Sequence, residues 1–188
     1  KELQAYSFFL KKKLKDMAAK IFSSLPKRRE NTFLKAEDKQ DKIGLKVFYK
    51  ETEQTHMALG FKSFKRGHPL RHALGLLHVI LGANMSSRLF DEVREKRGLA
   101  YEIGTAVKRY YDTGAFLVHA GIDNLKVYGA ISLILKELSK AKEELVSNDE
   151  FKRAKEFYLG QLKLGLEDTM EHMLWIGETT ATLDRTYS

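Results

Sequence analysis

The sequence predicts an α+β fold, an antiparallel or mixed sheet with helices packed mainly on one face. Three observations lead there. Apolar residues at Tyr6, Phe9, Leu10, Leu14, Met17, Ile21 and Phe22 recur at helical spacing, and the last third of the chain is helical as well. In between, "AYEIGTAVKR" and "AFLVHAG" alternate at strand spacing on either side of "YDTG", which reads as an antiparallel hairpin with a loop slightly longer than two residues. Strand pairs joined by short turns, with helices grouped between them, are the α+β pattern rather than a repeat.

In chain order, the first helix runs from Glu2 to about Ser24 and Pro26 ends it. The polar segment to Lys42 is a connection, so residues 1–42 are helix plus inter-domain connection and 43–188 the folded body of a single domain. Two strand candidates follow. "GLKVFY" is rich in β-branched and aromatic residues, and "THMALGFKS" alternates Met57, Leu59 and Phe61 against polar or small neighbours. Pro69 suits the first turn of a helix that runs to Leu81 and is closed by Gly82. Asn84 or Ser86 caps a short helix, Ser87 to Lys96, and Gly98 is a natural left-handed stop. In the hairpin, alternation puts Tyr101, Ile103, Thr105 and Val107 on one face. A helix from about Asn124 to Leu145 follows. A capping box, Ser147 with Glu150, then opens a helix reaching toward Thr180, weakened and bent by Gly160 and Gly165.

Composition bounds the function. A chain of 188 residues, 43% hydrophobic and 31% charged, can bury one sizeable core and is not of disordered type. No apolar run approaches the ~20 residues of a membrane span. The stretch "KELQAYSFFLKKKLKDM" carries its charges after its apolar patch and has no small-residue cleavage site, unlike a signal peptide. Absence of cysteine excludes disulfides and thiolate metal sites and fits a reducing compartment, so a cytoplasmic location is the expectation. The net charge of +8 invites nucleic acid, but 25 acidic residues are interspersed among the lysines, and no nucleic-acid partner is expected.

Candidate chemistry is sparse. His68 and His72 in "HPLRH" have the i, i+4 spacing of a metal pair, yet Pro69, Leu70 and Arg71 stand where a zinc peptidase needs its glutamate. "DTMEH", residues 168–172, is one substitution from the inverted H-x-x-E-H motif, with Glu178 as a conceivable further ligand; a charged helix explains it as well. There is no G-x-S-x-G elbow and no phosphate-cradling loop. His119 sits among apolar strand residues and reads as a sheet-face or core histidine. Arg94 and Tyr101, on either side of Gly98, remain. They are fixed donors for a peptide carbonyl, or else an arginine neutralising a helix end and a tyrosine packing a sheet edge.

At these residues a resemblance appears. "MSSRLFDEVREKRGLAYEIGT" resembles the signature of the insulinase/pitrilysin family of zinc metallopeptidases, relatives of mitochondrial processing peptidase. "AAKIFSSLP", "TEQTHMALGF", "YYDTGAFLVHAGID" and "SNDEFKRAKEFYLGQLKLGLEDTMEHM" extend the similarity along roughly the whole chain. The resemblance implies two similar α/β halves enclosing a peptide. One half bears H-x-x-E-H and zinc. The other bears no metal and contributes an arginine and a tyrosine, matched here by Arg94 and Tyr101. With no H-x-x-E-H in its sequence, this chain looks like the metal-free C-terminal half. Zinc is then expected in a partner domain or subunit, the peptide is the shared substrate, and this chain binds no cofactor itself. The alternative is a non-catalytic scaffold or assembly subunit of the same family. Whether the chain alone is an enzyme stays open at this point.

Overall fold

The computed structural model describes residues 2–26, 33–37 and 39–183. They fall into two compact units, 1–35 and 36–188. The first unit is dominated by helix α1, Glu2–Ser23, which stops just ahead of Pro26. Ser23 and Ser24 hydroxyls donate to the carbonyls of Lys20 and Ile21 at 3.0 and 2.8 Å, taking up acceptors left open at the helix end.

The second unit is built on a three-stranded antiparallel sheet. Strands β1 (Gln54–Ser63), β2 (Ala100–Arg109) and β3 (Gly114–Asp123) lie in the order β1-β3-β2. The hairpin is formed as expected, with Arg109 opposite Gly114 across residues 110–113. Helices α2 (Arg71–Gly82), α3 (Val127–Glu143), α4 (Asn148–Glu167) and α5 (Thr169–Leu183) complete the unit, together with a short π-helix, Phe90–Glu95. This is the α+β architecture that the sequence predicts.

One side of the sheet makes the core. Ile103 from β2 and Phe116, Val118, Ala120 and Ile122 from β3 are buried there with Leu74 and Leu81 of α2, Ala130 and Ile134 of α3, and Leu89 and Val93. Leu89 and Val93 are 0% exposed. Full burial of each stabilises by about 1.5–3 kcal/mol, which ties the short helix to the sheet. A smaller cluster, Val79, Ile80 and Ala154, joins α2 to α4.

Three expectations are corrected. "GLKVFY" is not a strand: residues 43–50 join neither ladder and are exposed throughout, Val47 at 80% and Tyr49 at 93%. β-propensity measures fit to a pleated surface, and it yields a strand only where a neighbouring edge satisfies the backbone. The long terminal helix is broken at Asp168 into α4 and α5, while Gly160 and Gly165 both lie within α4. Asp168 is extended (φ −74°, ψ 124°), and its Oδ1 accepts from the N–H groups of Met170 and Glu171, both at 2.9 Å. An aspartate offers the backbone a competing partner, whereas an interior glycine only weakens a helix. The helix expected at 87–96 is largely a π-helix, as described next.

Candidate functional site

The site is built around one chain reversal. Arg88 and Leu89 start a helical turn that widens at Phe90, and the Lys96 N–H donates to the Asp91 carbonyl five residues back at 2.9 Å. π-Turns are rare and concentrate at functional places. Gly98, at φ +55°, then reverses the chain. Its N–H donates to the Arg94 carbonyl at 2.9 Å, and the Leu99 N–H to the Val93 carbonyl at 2.9 Å. The first is the usual left-handed cap, and the second is one residue wider than the ordinary closure, in keeping with the π-turn before it. Lys126, ahead of α3, donates from Nζ to the Gly98 carbonyl at 3.1 Å and pins the reversal from outside.

Charge on this segment is sorted by position. Lys96 Nζ lies 2.6 Å from Asp91 Oδ2 and 2.7 Å from Glu92 Oε1. Arg97 reaches the other Glu92 oxygen at 2.5 Å and the Glu92 carbonyl at 3.0 Å. Hydrogen bonds from Lys96 and then Arg97 hold the Glu92 carboxyl down at about 2, and those from Lys96 to Asp91 and Glu92 push its ammonium up to about 12. The Asp91 and Glu92 carboxylates are thus committed to Lys96 and Arg97. Arg94 keeps only a loose approach to Glu95, 3.8 Å, and rests its guanidinium carbon 4.7 Å above the Phe90 ring. With its side chain 44% exposed, it is a held but accessible cation.

Tyr101 is placed by a β-bulge. Ala100 pairs with Ile122 and Glu102 with Gly121, leaving Tyr101 as the extra residue. The bulge shifts the alternation by one, so Ala100 and Ile103 are both buried while Tyr101 is 58% exposed. The sequence expectation that Tyr101 shares a face with Ile103, Thr105 and Val107 is therefore wrong. An irregularity of the kind that re-aims side chains beside active sites turns it out of the core. No hydrogen bond joins Arg94 to Tyr101 among the described residues. The Gly98 and Leu99 amides keep their backbones on the two sides of one turn.

The other candidates have protein partners. His68 Nδ1 accepts from the Leu70 N–H at 3.1 Å, and its ring stacks on Phe64 with centroids 4.0 Å apart. His72 Nδ1 is 3.2 Å from the Tyr158 hydroxyl, and burial, then Arg71 and Arg109, hold its imidazole below the usual value. Asp168 caps α5, and Glu178 pairs with Arg66 at 3.0 Å. Among the described residues no three metal-type side chains converge, so these positions do not assemble the ligand set of a zinc site. His119 lies on the sheet face turned from the core, 3.8 Å from Glu102.

Two arrangements escaped sequence reasoning. His78 Nδ1 meets Thr105 Oγ1 at 2.7 Å, and the same hydroxyl lies 3.2 Å from the His78 carbonyl, which ties β2 to α2. Burial, then Arg109 and His119, keep this imidazole below its ordinary value. Arg88 and Glu150 form a two-pronged ion pair, Nε to Oε1 and Nη2 to Oε2, both 2.7 Å. A conspicuous arginine and a capping-box glutamate were the only signals, and neither names the other.

A partly exposed guanidinium and phenol thus stand on either side of a capped reversal, over an antiparallel sheet with helices behind it. Residues 9–158 match the family described as the peptidase M16 inactive domain. The chain is 39% identical to an uncharacterized zinc protease of Streptomyces coelicolor over 88% of this chain and 34% of that relative. It is 35% identical to one of Bacillus subtilis over 72% of this chain and 33% of the relative. It thus spans only a part of each curated relative. Among solved structures, a protease from Helicobacter pylori shares the fold at TM-score 0.78 and 22% identity, covering 92% of this chain and 43% of that one.

The chain therefore belongs to the peptidase M16 family, as its inactive domain, which bears out the resemblance read from residues 85–101.

Proposed function

We propose that this chain is the zinc-free half of a two-part metallopeptidase, and that Arg94 and Tyr101 act on the scissile peptide. The relatives' description as zinc proteases and the inactive-domain match support a catalytic partner half that supplies metal and water activation. This chain's contribution is hydrogen-bond donation. The Tyr101 hydroxyl, which has no hydrogen-bond partner among the described residues, donates to the peptide carbonyl oxygen as negative charge grows on it. Arg94 holds a neighbouring substrate carbonyl or steadies the phenol. A donor aimed at the developing charge stabilises the transition state more than the bound substrate.

The observation that carries this reading is the sorting of charge on one short helix, which commits Lys96 and Arg97 to carboxylates and leaves Arg94 accessible beside an outward-turned tyrosine. The test is Tyr101→Phe in the full-length protein with its zinc-bearing half, assayed on a fluorogenic peptide. Turnover should fall by about 10²–10³ with a smaller change in KM. Unchanged kcat would refute the reading and favour the scaffold alternative.

A further inference from the structure

The Arg88–Glu150 pair joins the two ends of a mechanical problem. A six-residue π-helix has little rigidity of its own, and this one has no side-chain cap. Leu89 and Val93 anchor it in the core, but apolar contact is non-directional and does not by itself fix rotation about the helix axis. Lys126 secures its far end at Gly98. At the near end, Arg88 reaches Glu150 in the first turn of α4 through two parallel hydrogen bonds of 2.7 Å, with side chains only 19% and 21% exposed. A bidentate fork of this kind specifies orientation as well as distance.

Glu150 is itself held in place for this. The Ser147 hydroxyl accepts from the Glu150 N–H at 3.3 Å, the forward half of a capping box. No return bond from the Ser147 N–H to Glu150 is made among the described residues, and both carboxylate oxygens point to Arg88 instead. The guanidinium is held charged first by the Glu150 hydrogen bond, then by Glu150, Glu137 and Glu144 through space, against its partial burial. The side chain that would ordinarily finish its own helix is diverted to another element.

We propose that Arg88 and Glu150 are a positioning pair that sets the rotation of the π-helix and thereby the placement of Arg94, an inference that rests on the role given to Arg94 above. Loosening the fork lets the first turn slip toward ordinary α spacing, and every later side chain then changes its direction around the axis.

The experiment is a double-mutant cycle in the full-length protein with its zinc-bearing half. Glu150→Gln and Arg88→Lys are each made with Arg94 present and in an Arg94→Ala background, and kcat and KM are measured on one fluorogenic peptide. With Arg94 present, each should lower kcat/KM by about tenfold or more, as misplacement of a donor does. With Arg94 absent, each should change it by less than about twofold, because the effect has lost its carrier. Equal losses in both backgrounds, or no loss in either, would overturn the proposal, since a merely stabilising pair acts regardless of Arg94. If Arg94→Ala alone leaves kcat/KM unchanged, the functional reading falls and this inference with it. Should Arg88→Lys fail to fold, Glu150→Gln keeps the side-chain shape and decides the matter by itself.

Discussion

Replacing Gly98 tests whether the reversal is maintained by backbone conformation alone. The residue sits at φ +55°, and a Cβ built on it meets nothing within 4 Å. Alanine therefore adds no steric clash, and its cost is that of an L-residue in the left-handed region, about 1–2 kcal/mol. A narrower unfolded ensemble returns about 0.4–1 kcal/mol. The net loss for Gly98→Ala should be about 0–1.6 kcal/mol, and Gly98→Asn should lose less, since asparagine tolerates this conformation. Gly82→Ala provides the contrast. There a Cβ would fall 2.7 Å from both Thr105 Cγ2 and the Thr105 backbone nitrogen, so β2 itself must shift. Overpacking of that kind costs about 1–3 kcal/mol. The assay is urea unfolding of the full-length protein followed by circular dichroism, with midpoints compared across the three variants. The expected order of loss is Gly82→Ala, then Gly98→Ala, then Gly98→Asn. A reversal, with asparagine worse than alanine or Gly98→Ala worse than Gly82→Ala, would refute the idea that only dihedral strain is at stake at Gly98.

Other outcomes follow from the same contacts. Leu89→Ala removes a fully buried anchor of the π-helix and should cost about 2–5 kcal/mol in the same assay, whereas an exposed-site change such as Leu125→Ala should be near neutral. The Arg88 hydrogen bond holds the Glu150 carboxyl below the ordinary carboxylate range in the folded state. A depressed folded value means that the pair's stabilisation is fully present above the unfolded value of about 4.3 and is lost as pH falls below it. Arg88→Met should therefore flatten the acid limb of a stability-versus-pH curve measured by thermal unfolding. An unchanged limb would show that the pair contributes nothing to it.

Much of this protein is legible because its signals are local. Pro26 ends α1 and Ser147 starts α4 through backbone energetics confined to a single turn. Gly98 stops its helix because few other residues accept its dihedral angles. The hairpin between β2 and β3 announces itself by alternation about a turn. The residues around Arg94 and Tyr101 are recognisable as a family motif, so the candidate site was also visible as a pair of names.

Where those names stand was not visible. Alternation placed Tyr101 with Ile103, but the register with β3 inserts a bulge, and only pairing with another strand determines register. The propensity of "GLKVFY" promised a strand that no sheet edge receives. Asp168 broke a helix that two glycines did not, because capping depends on which donors its carboxylate can reach. Arg88 and Glu150 lie far apart in sequence, and nothing local predicts their meeting. The sequence alone determined the family, the hairpin and the ends set by Pro26, Gly98 and Ser147, since each is decided by neighbours along the chain. Tertiary structure decided which face each side chain took and which charges were left free, because those depend on hydrogen bonds and burial between segments that the chain brings together only by folding.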